Sequence, residues 1–524
     1  PYLLFDAQDS MIGTLENPTL DLDPSKPDTL NVITATRAGT ATFTDVNGNI
    51  AQAPANTVRV DHVDGVPMIL VEPSSENLLP YSEDFSSGGW NITNGTLTPN
   101  DAISPEGVQN GSKINFSAGG EIVRTTNFTV GQSYTFSFYA KVESGTFDFT
   151  YGNIDYTLVS GTATTEWQRF EVTQTAPVAT RYPKIDATDT GDLLIWGAQV
   201  ETGSVATSYI PTSGSTVSRA ADDLQIERDS TNLVTDSSHA DIASISVTKV
   251  GSNFEAPDGS LTASKFTGIT NGAGDRIYSL STAVNSSTQY AGSIYVKGTA
   301  GEVAFIQHKR ISGATYAGSS QASLTLDGTW QRVTTGLTYT TAADTTASLI
   351  TIRHGSGATA DELYVWGIQI EEGSESTSFI PTSGAAASRT TFSDFYNQSE
   401  GTFYAEFQGA EGDFDYIYNV DQTSTDQIRI QRLQTGAIRT RYRASGSDVA
   451  NLANTALQGS LNRHAFSYKT NNFRANVNGG NDDEELSGNA SLAPTSIQLG
   501  GRGTAISMTN IKRLIYWPYH SDSL

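Results

Sequence analysis

Apolar and polar residues alternate with period two in short stretches along almost the whole chain, as in FSFYAKV (Phe136–Val142), SIYVKGT (Ser293–Thr299), RFEVTQT (Arg169–Thr175) and AIRTRYRA (Ala437–Ala444). Such alternation predicts strands with one face buried and one facing water. Between the stretches stand PEG, PDG, NG and similar turn clusters, at roughly 8–12 residue spacing, which is the punctuation of β-sandwiches. No window approaches the roughly 18–20 consecutive apolar residues of a membrane-spanning helix. The first residues, PYLLFDAQDS, lack the basic stretch that would lead a secretory signal.

Self-similarity divides the chain. WGAQVETGSVATSYIPTSG, from Trp196 to Gly214, returns as WGIQIEEGSESTSFIPTSG, from Trp366 to Gly384, with 13 of 19 positions identical. Upstream, Asn77-Leu78 matches Asn232-Leu233, SPEG at Ser104 matches APDG at Ala256, FYAK at Phe138 matches IYVK at Ile294, and WQR at Trp167 matches WQR at Trp330. A long ordered repeat means a repeated domain. We therefore expect an all-β, multidomain chain. It consists of a β-rich N-terminal docking segment (1–75), two homologous jelly-roll-like sandwiches (76–223 and 229–393) and a third sandwich of eight to ten strands (395–524). The IPTSG stretch closing each repeat has little apolar content and reads as an extended strap laid on a neighbouring domain or chain. Trp167, Trp196, Trp330 and Trp366 are expected to pack in the cores or close their ends, with a sugar platform as the alternative.

Composition narrows the chemistry. The 524 residues contain no cysteine, so disulfides, thiolate metal sites and cysteine nucleophiles are excluded. Lys and Arg number 31 against 56 Asp and Glu, a formal charge of -25, which argues against general affinity for nucleic acid or anionic membranes. The stretch from Phe395 onward holds 11 basic and 13 acidic residues and is nearly neutral, which leaves about -23 on the rest. Arg429, Arg432, Arg439, Arg441 and Arg443 cluster in that neutral part.

No GxSxG, HExxH, Walker or GxGxxG-helix pattern is present, and the six histidines are dispersed. Glycan cleavage would need two carboxylates a few ångströms apart. Asp413-Phe414-Asp415 and the run Asp482, Asp483, Glu484, Glu485 are the nearest candidates, and both read as solvated, the second as an exposed hairpin loop. Asp45, Asn47 and Asn49 in DVNGN imitate part of a calcium loop but lack its closing glutamate, so a hairpin turn is expected. No catalytic residue is assigned. Tyr416, Tyr418, Arg441, Tyr442 and Arg443 are the candidate glycan contacts, because tyrosine stacking and guanidinium hydrogen bonding suit sugars. The same surface would equally suit a subunit interface.

In combination, RAGTATFTDVNGNI (Arg37–Ile50), SSENLLPYSEDFSSGGW (Ser74–Trp90), SPEG, WQRFEV and WGAQVETGSVATSYIPTSGSTVSRAADD resemble segments of tailed-bacteriophage tail fibre, tail spike and head fibre proteins. The middle sandwiches are similar to carbohydrate-binding-module jelly rolls. The last 125 or so residues, ending in NIKRLIYWPYHSDSL, resemble a concanavalin A-like (laminin-G-like) lectin/glucanase domain, which in relatives usually continues a little further than Leu524. The resemblance implies a protein of the virion surface, usually homotrimeric, that contacts other virion proteins and a host-surface glycan without inserting into the membrane. It implies either a tail fibre or spike, or a capsid head fibre or decoration protein with a purely architectural role, with a depolymerase as the third reading. No cofactor is implied. Modules of this type often carry a structural Ca2+ on an acidic pair in the last strand, where this chain has only Glu201 and Glu371.

Overall fold

The computed structural model describes the chain apart from residues 1, 6–10, 16–17, 153–157, 228, 238–241, 246, 270–275, 280–281, 286–287, 313–314, 339–346, 355–359, 374–375, 390–394, 410–415, 423–424, 434, 456–460, 503–504 and 523. Among the described residues the regular structure is strand throughout, save one short 3-10 helix at Pro27–Val32. The protein is an all-β chain of sandwiches. It divides into two compact units, residues 1–226 with 395–524, and residues 227–394.

In the first unit the two ends of the chain build one sandwich together. Strand Thr509–Trp517 lies against Glu400–Gly409 on one side, and its other side is shared by two N-terminal strands. Ile511 pairs with Ile69 of Val66–Val71, and Tyr516 pairs with Leu20 of Leu20–Leu22. The sheet runs Asp483–Glu485, Asn472–Val477, Asn462–Lys469, Glu400–Gly409, Thr509–Trp517, Val66–Val71, Arg59–Val63, with Leu20–Leu22 as an eighth strand beside Thr509–Trp517. The facing sheet runs Ser447–Thr455, Ala437–Ala444, Gln427–Arg432, Tyr416–Asp421, Ser496–Leu499, Asp223–Glu227, Thr34–Thr36. The segment expected to dock elsewhere thus supplies strands to the C-terminal sandwich. Its polar composition hid this, because three to six residues per strand suffice when the neighbouring sheet provides the rest of the core.

The first repeat is inserted between those strands. Its strands Trp90–Ile103 and Gln109–Arg124 are long and bent, with register shifts after Thr93 and Thr98, so they run through both sheets of the jelly roll. Phe116, Phe136, Phe138, Phe147, Phe149 and Ile195 are among the side chains that fill the space between.

The second unit holds its own core between two five-stranded sheets, with Phe266, Ile294, Val296, Ile306 and Ile352 at the centre. The repeats share register as well as sequence. Ser137 pairs with Gln199 and Tyr139 with Trp196; Ser293 pairs with Gln369 and Tyr295 with Trp366. Each ladder is interrupted at the same place by a bulge, where Gly197 (φ 63°) and Gly367 (φ 64°) take left-handed backbone. A Cβ there would also lie 3.2 Å and 2.9 Å from the Tyr139 and Tyr295 rings, so only glycine fits.

Both straps lie on their own sandwich. Asn77 donates from Nδ2 to the Ala198 and Ile210 carbonyls and accepts at Oδ1 from the Leu79 and Val200 N–H groups. Asn232 does the same with Ile368, Ile380, Val234 and Ile370. Beyond the strap, Val217–Arg219 pairs with Ser75–Asn77, and Ala387–Arg389 pairs with Ser230–Asn232, so each repeat closes its ends on one another.

Candidate functional site

The tryptophans fall into two classes. Trp196 and Trp366 are buried on the face of the last strand that lies under the strap, against Tyr139 and Tyr209 in one repeat and Tyr295 and Phe379 in the other. Trp167 and Trp330 are half-buried at the sheet surface, the first with Lys141 Nζ 5.2 Å from its ring centroid. The DVNGN segment is a hairpin turn in which Asp45 Oδ1 accepts from the N–H groups of Asn47 and Asn49. Glu201 and Glu371 are buried and accept hydrogen bonds from Thr207 and Thr377 and from Gln199 and Gln369. Among the described residues no group of three or more His, Asp or Glu is placed to hold a metal ion. Asp413 and Asp415 lie outside the described residues. The acidic run at 482–485 is not a free loop. Asp483–Glu485 is an edge strand on Phe473–Ala475, Asp482 accepts from Asn476, Asp483 accepts from the Ala453 N–H, and Glu484 pairs with Arg474.

The arginine cluster sits on the sheet of Tyr416–Asp421, Gln427–Arg432 and Ala437–Ala444. Cross-strand pairing aligns Gln427 with Arg443, Arg429 with Arg441, and Gln431 with Arg439, so these six side chains share the face turned away from the core. Asn419 opposes both Arg429 and Gln498, and Gln498 Nε2 donates to Asp223, which extends the polar rows across the sheet. Tyr416 belongs to this face too, with the Arg429 guanidinium 5.9 Å from its ring.

Two of the five expected contacts are on the other side. Tyr442 stands between Arg441 and Arg443, so strand alternation turns it inward, where it is fully buried against Tyr468 and Phe473 and accepts the Leu492 N–H at 2.8 Å. Tyr418 is two residues from Tyr416 and would share its face in a regular strand. The register shift between them sends it into the core, beside Phe403 and His464. Neither ring can meet a ligand in the folded protein.

Accessibility differs along this face. Asn419, Gln427, Arg429, Gln431 and Gln498 are buried, whereas on the strand Ala437–Ala444 Arg441 and Arg443 keep 19% and 23% of their side-chain surface, and Arg439 and, two strands away, Tyr416 are half-buried. Arg441 Nη2 and Arg443 Nε both reach Asp448, the latter at 3.2 Å, and Arg443 also donates to the Gly446 carbonyl at 2.8 Å. A single carboxylate thus holds two guanidinium groups apart in fixed orientation, leaving other N–H donors for an acceptor-rich partner. The sequence pattern placed Arg439 in the arginine cluster but not among the candidate contacts, and it did not single out Asp448. The period-two pattern was enough to find Arg439, since it shares parity with Arg441 and Arg443.

A second cluster of charge is wholly interior. Arg37, Arg59 and Arg219 meet Glu72 and Asp222, all five at most 3% exposed. Arg59 donates to Glu72 at 2.7 Å and closely to Asp222, to the Thr42 carbonyl at 2.7 Å and to Ser208 Oγ at 2.8 Å. Arg37 pairs with Asp222 at 2.8 Å, and Glu72 also accepts from Ser208 N and Oγ at 2.6 Å. Burial alone would raise the Glu72 pKa, but Arg219 and Arg59 beside it and the Ser208 donors hold it down to about 2. Every member is paired, so the cluster works as a joint fastening the first repeat to the shared sandwich, not as a reactive site.

No protein-family model and no curated protein matches the chain. Among solved structures it is similar to the CBM22-1-CBM22-2 tandem domain of Paenibacillus barcinonensis Xyn10C, at 11% identity and TM-score 0.22, over 57% of this chain and 97% of that one. It is similar to the LG4-5 domains of the mouse laminin alpha1 chain at 9% identity and TM-score 0.19, over 55% and 87%. A sialidase of Trypanosoma rangeli in complex with sialic acid matches at 10% identity and TM-score 0.21, over 93% and 96%. At these scores none of them bears on what this chain does, and the all-β assignment rests on its own strands.

Proposed function

We propose that the protein is a structural and adhesive component of a tailed-bacteriophage virion, a fibre or spike that holds host-surface glycans through the face carrying Tyr416, Arg439, Arg441 and Arg443. The observation that carries this reading is the guanidinium row beside Asp448, a preset array of donors on a sheet of the lectin-like sandwich. The resemblance of RAGTATFTDVNGNI and WGAQVETGSVATSYIPTSG to fibre and spike segments supports the virion assignment. The two repeats act as spacers, other virion proteins and a homotrimeric assembly are the proposed partners, and the virion surface is the proposed location. Shallow contacts of this kind are weak singly, and several copies on one particle raise avidity by about 10²–10⁴.

Binding of the full chain to host cells or purified surface polysaccharide tests the reading. Arg441→Ala with Arg443→Ala is expected to lower binding at least tenfold, while Tyr442→Phe, inside the core, leaves it unchanged. Undiminished adhesion of the arginine variant overturns it. A second, architectural reading as a capsid head fibre or decoration is favoured by the engagement of both arginines with Asp448 and by the burial of Asn419 and Gln427 on the same face. Electron micrographs placing the protein on capsid faces would establish that alternative. Sustained release of reducing ends from host polysaccharide would establish a depolymerase instead.

A further inference from the structure

One set of three side chains recurs in both jelly rolls and plays no part in the reading above. Gln199 and Glu201 of the last strand, with Thr207 of the strap, correspond to Gln369, Glu371 and Thr377. The first two of each set are two residues apart and therefore share the strand face under the strap. Gly203 and Gly373, at φ 130° and 137°, begin the return that lays the threonine back over its glutamate. All six side chains are buried, none of the six residues more than 6% exposed.

We propose that each set forms an intramolecular ester between the threonine hydroxyl and the glutamine side-chain carbonyl, Thr207 to Gln199 and Thr377 to Gln369. The parts needed for acyl transfer are in place. Thr377 Oγ1 donates to Glu371 Oε2 at 2.7 Å and Thr207 Oγ1 to Glu201 Oε2 at 3.1 Å, which gives each nucleophile a base. Each amide carbonyl accepts one backbone N–H, from Ile210 and Ile380, both at 2.7 Å, where negative charge develops during attack. Each amide nitrogen donates to the same glutamate, Gln369 Nε2 to Glu371 Oε1 at 2.8 Å and Gln199 Nε2 closely to Glu201, so the carboxyl can return the proton to the departing nitrogen. Thr377 Oγ1 lies 3.5 Å from Gln369 Nε2, at the edge of the group it would attack.

The step balances without a co-reactant. The Oγ–Cδ bond forms, the Cδ–Nε2 bond breaks, the hydroxyl proton passes through the carboxylate to nitrogen, and ammonia leaves with the glutamate restored. Escape of ammonia to solvent drives the reaction forward, and burial keeps water from the ester. Burial raises the Glu201 pKa, the direction suited to a carboxyl that takes a proton and gives it back. The product would staple each strap to its sandwich in a chain that has no cysteine for the purpose.

Intact mass of the denatured full chain decides the matter. The expected mass is below the sequence mass by two ammonia molecules, with peptide fragments in which the Thr207 and Thr377 segments remain joined to those of Gln199 and Gln369. Hydroxylamine should release them. Asn-Gly sites such as Asn94-Gly95 can also lose ammonia by forming succinimides, so Thr207→Val with Thr377→Val is the control, and it should restore the full mass. An unmodified wild-type mass overturns the proposal and leaves the sets as hydrogen-bonded clasps. A deficit that survives in the valine variant, or one that corresponds to water, overturns it as well.

Discussion

Replacing Arg59 by methionine probes the buried ionic joint. The side chain keeps its approximate length, but Glu72 and Asp222 each lose a partner, and the Thr42 carbonyl and Ser208 hydroxyl lose a donor. Glu72 retains Arg219 at 3.4 Å and Asp222 retains Arg37 at 2.8 Å, so neither carboxylate is fully abandoned. Removing one member of a buried pair costs about 3–5 kcal/mol, and here two buried carboxylates are each left with one guanidinium partner in place of two. At about 2.1 cal/mol/K of unfolding entropy per residue, a cooperative unit made of residues 1–226 and 395–524 shifts by about 1.3 °C per kcal/mol, so the transition should fall by about 4–7 °C. Scanning calorimetry is the suitable assay, since separate cores need not unfold together. The endotherm carrying residues 1–226 and 395–524 should move, and that of 227–394 should stay in place. Arg59→Lys, which keeps the charge but not the fork of donors, should lie between. A shift below about 2 °C in every transition, or one confined to the second unit, would refute the view that this joint holds the first unit together.

Other outcomes follow from the same physics. A fragment of residues 395–524 alone lacks the strands at 20–22, 34–36, 59–71 and 223–227, and is expected to show no cooperative melting, whereas adding residues 17–75 back should improve its solubility and order. Asn232→Ala strands two carbonyls and two N–H groups in the interior; at about 1–3 kcal/mol for each unsatisfied group the second unit should lose at least about 4 kcal/mol in urea titration. Acid should destabilise the protein in two stages. Burial lowers the pKa of His464 to about 3 and of His308 to about 4, so their contribution is complete above about 6.5 and fades as pH drops, because the unfolded chain takes up protons that the native one refuses. Glu72, held at about 2, contributes fully above about 4.5 and loses that contribution between there and about 2. A flat unfolding midpoint from pH 7 to 4 would contradict the histidine placement.

Much of this architecture could be anticipated from local pattern. Period-two alternation located the strands, because a sheet buried on one face admits few other arrangements. The duplication from Asn77 to Gly214 and from Asn232 to Gly384 announced two copies of one domain, down to the asparagine that clasps each strap. The same alternation, applied strictly, would also have separated Tyr442 from the arginines on either side of it.

Other features depended on contacts across hundreds of residues, to which no local pattern is sensitive. Leu20 pairs with Tyr516 and Ile69 with Ile511, so strands that look too short and polar to fold alone gain their core from the far end of the chain. Tyr418 turns inward because of a one-residue bulge, and a bulge depends on the partner strand. No local pattern marks Arg37, Arg59 and Asp222, which lie in the interior because the fold supplies each with an opposite charge or a carbonyl. Composition set the kind of element the chain could form, and long-range packing chose which faces met and which were left to water.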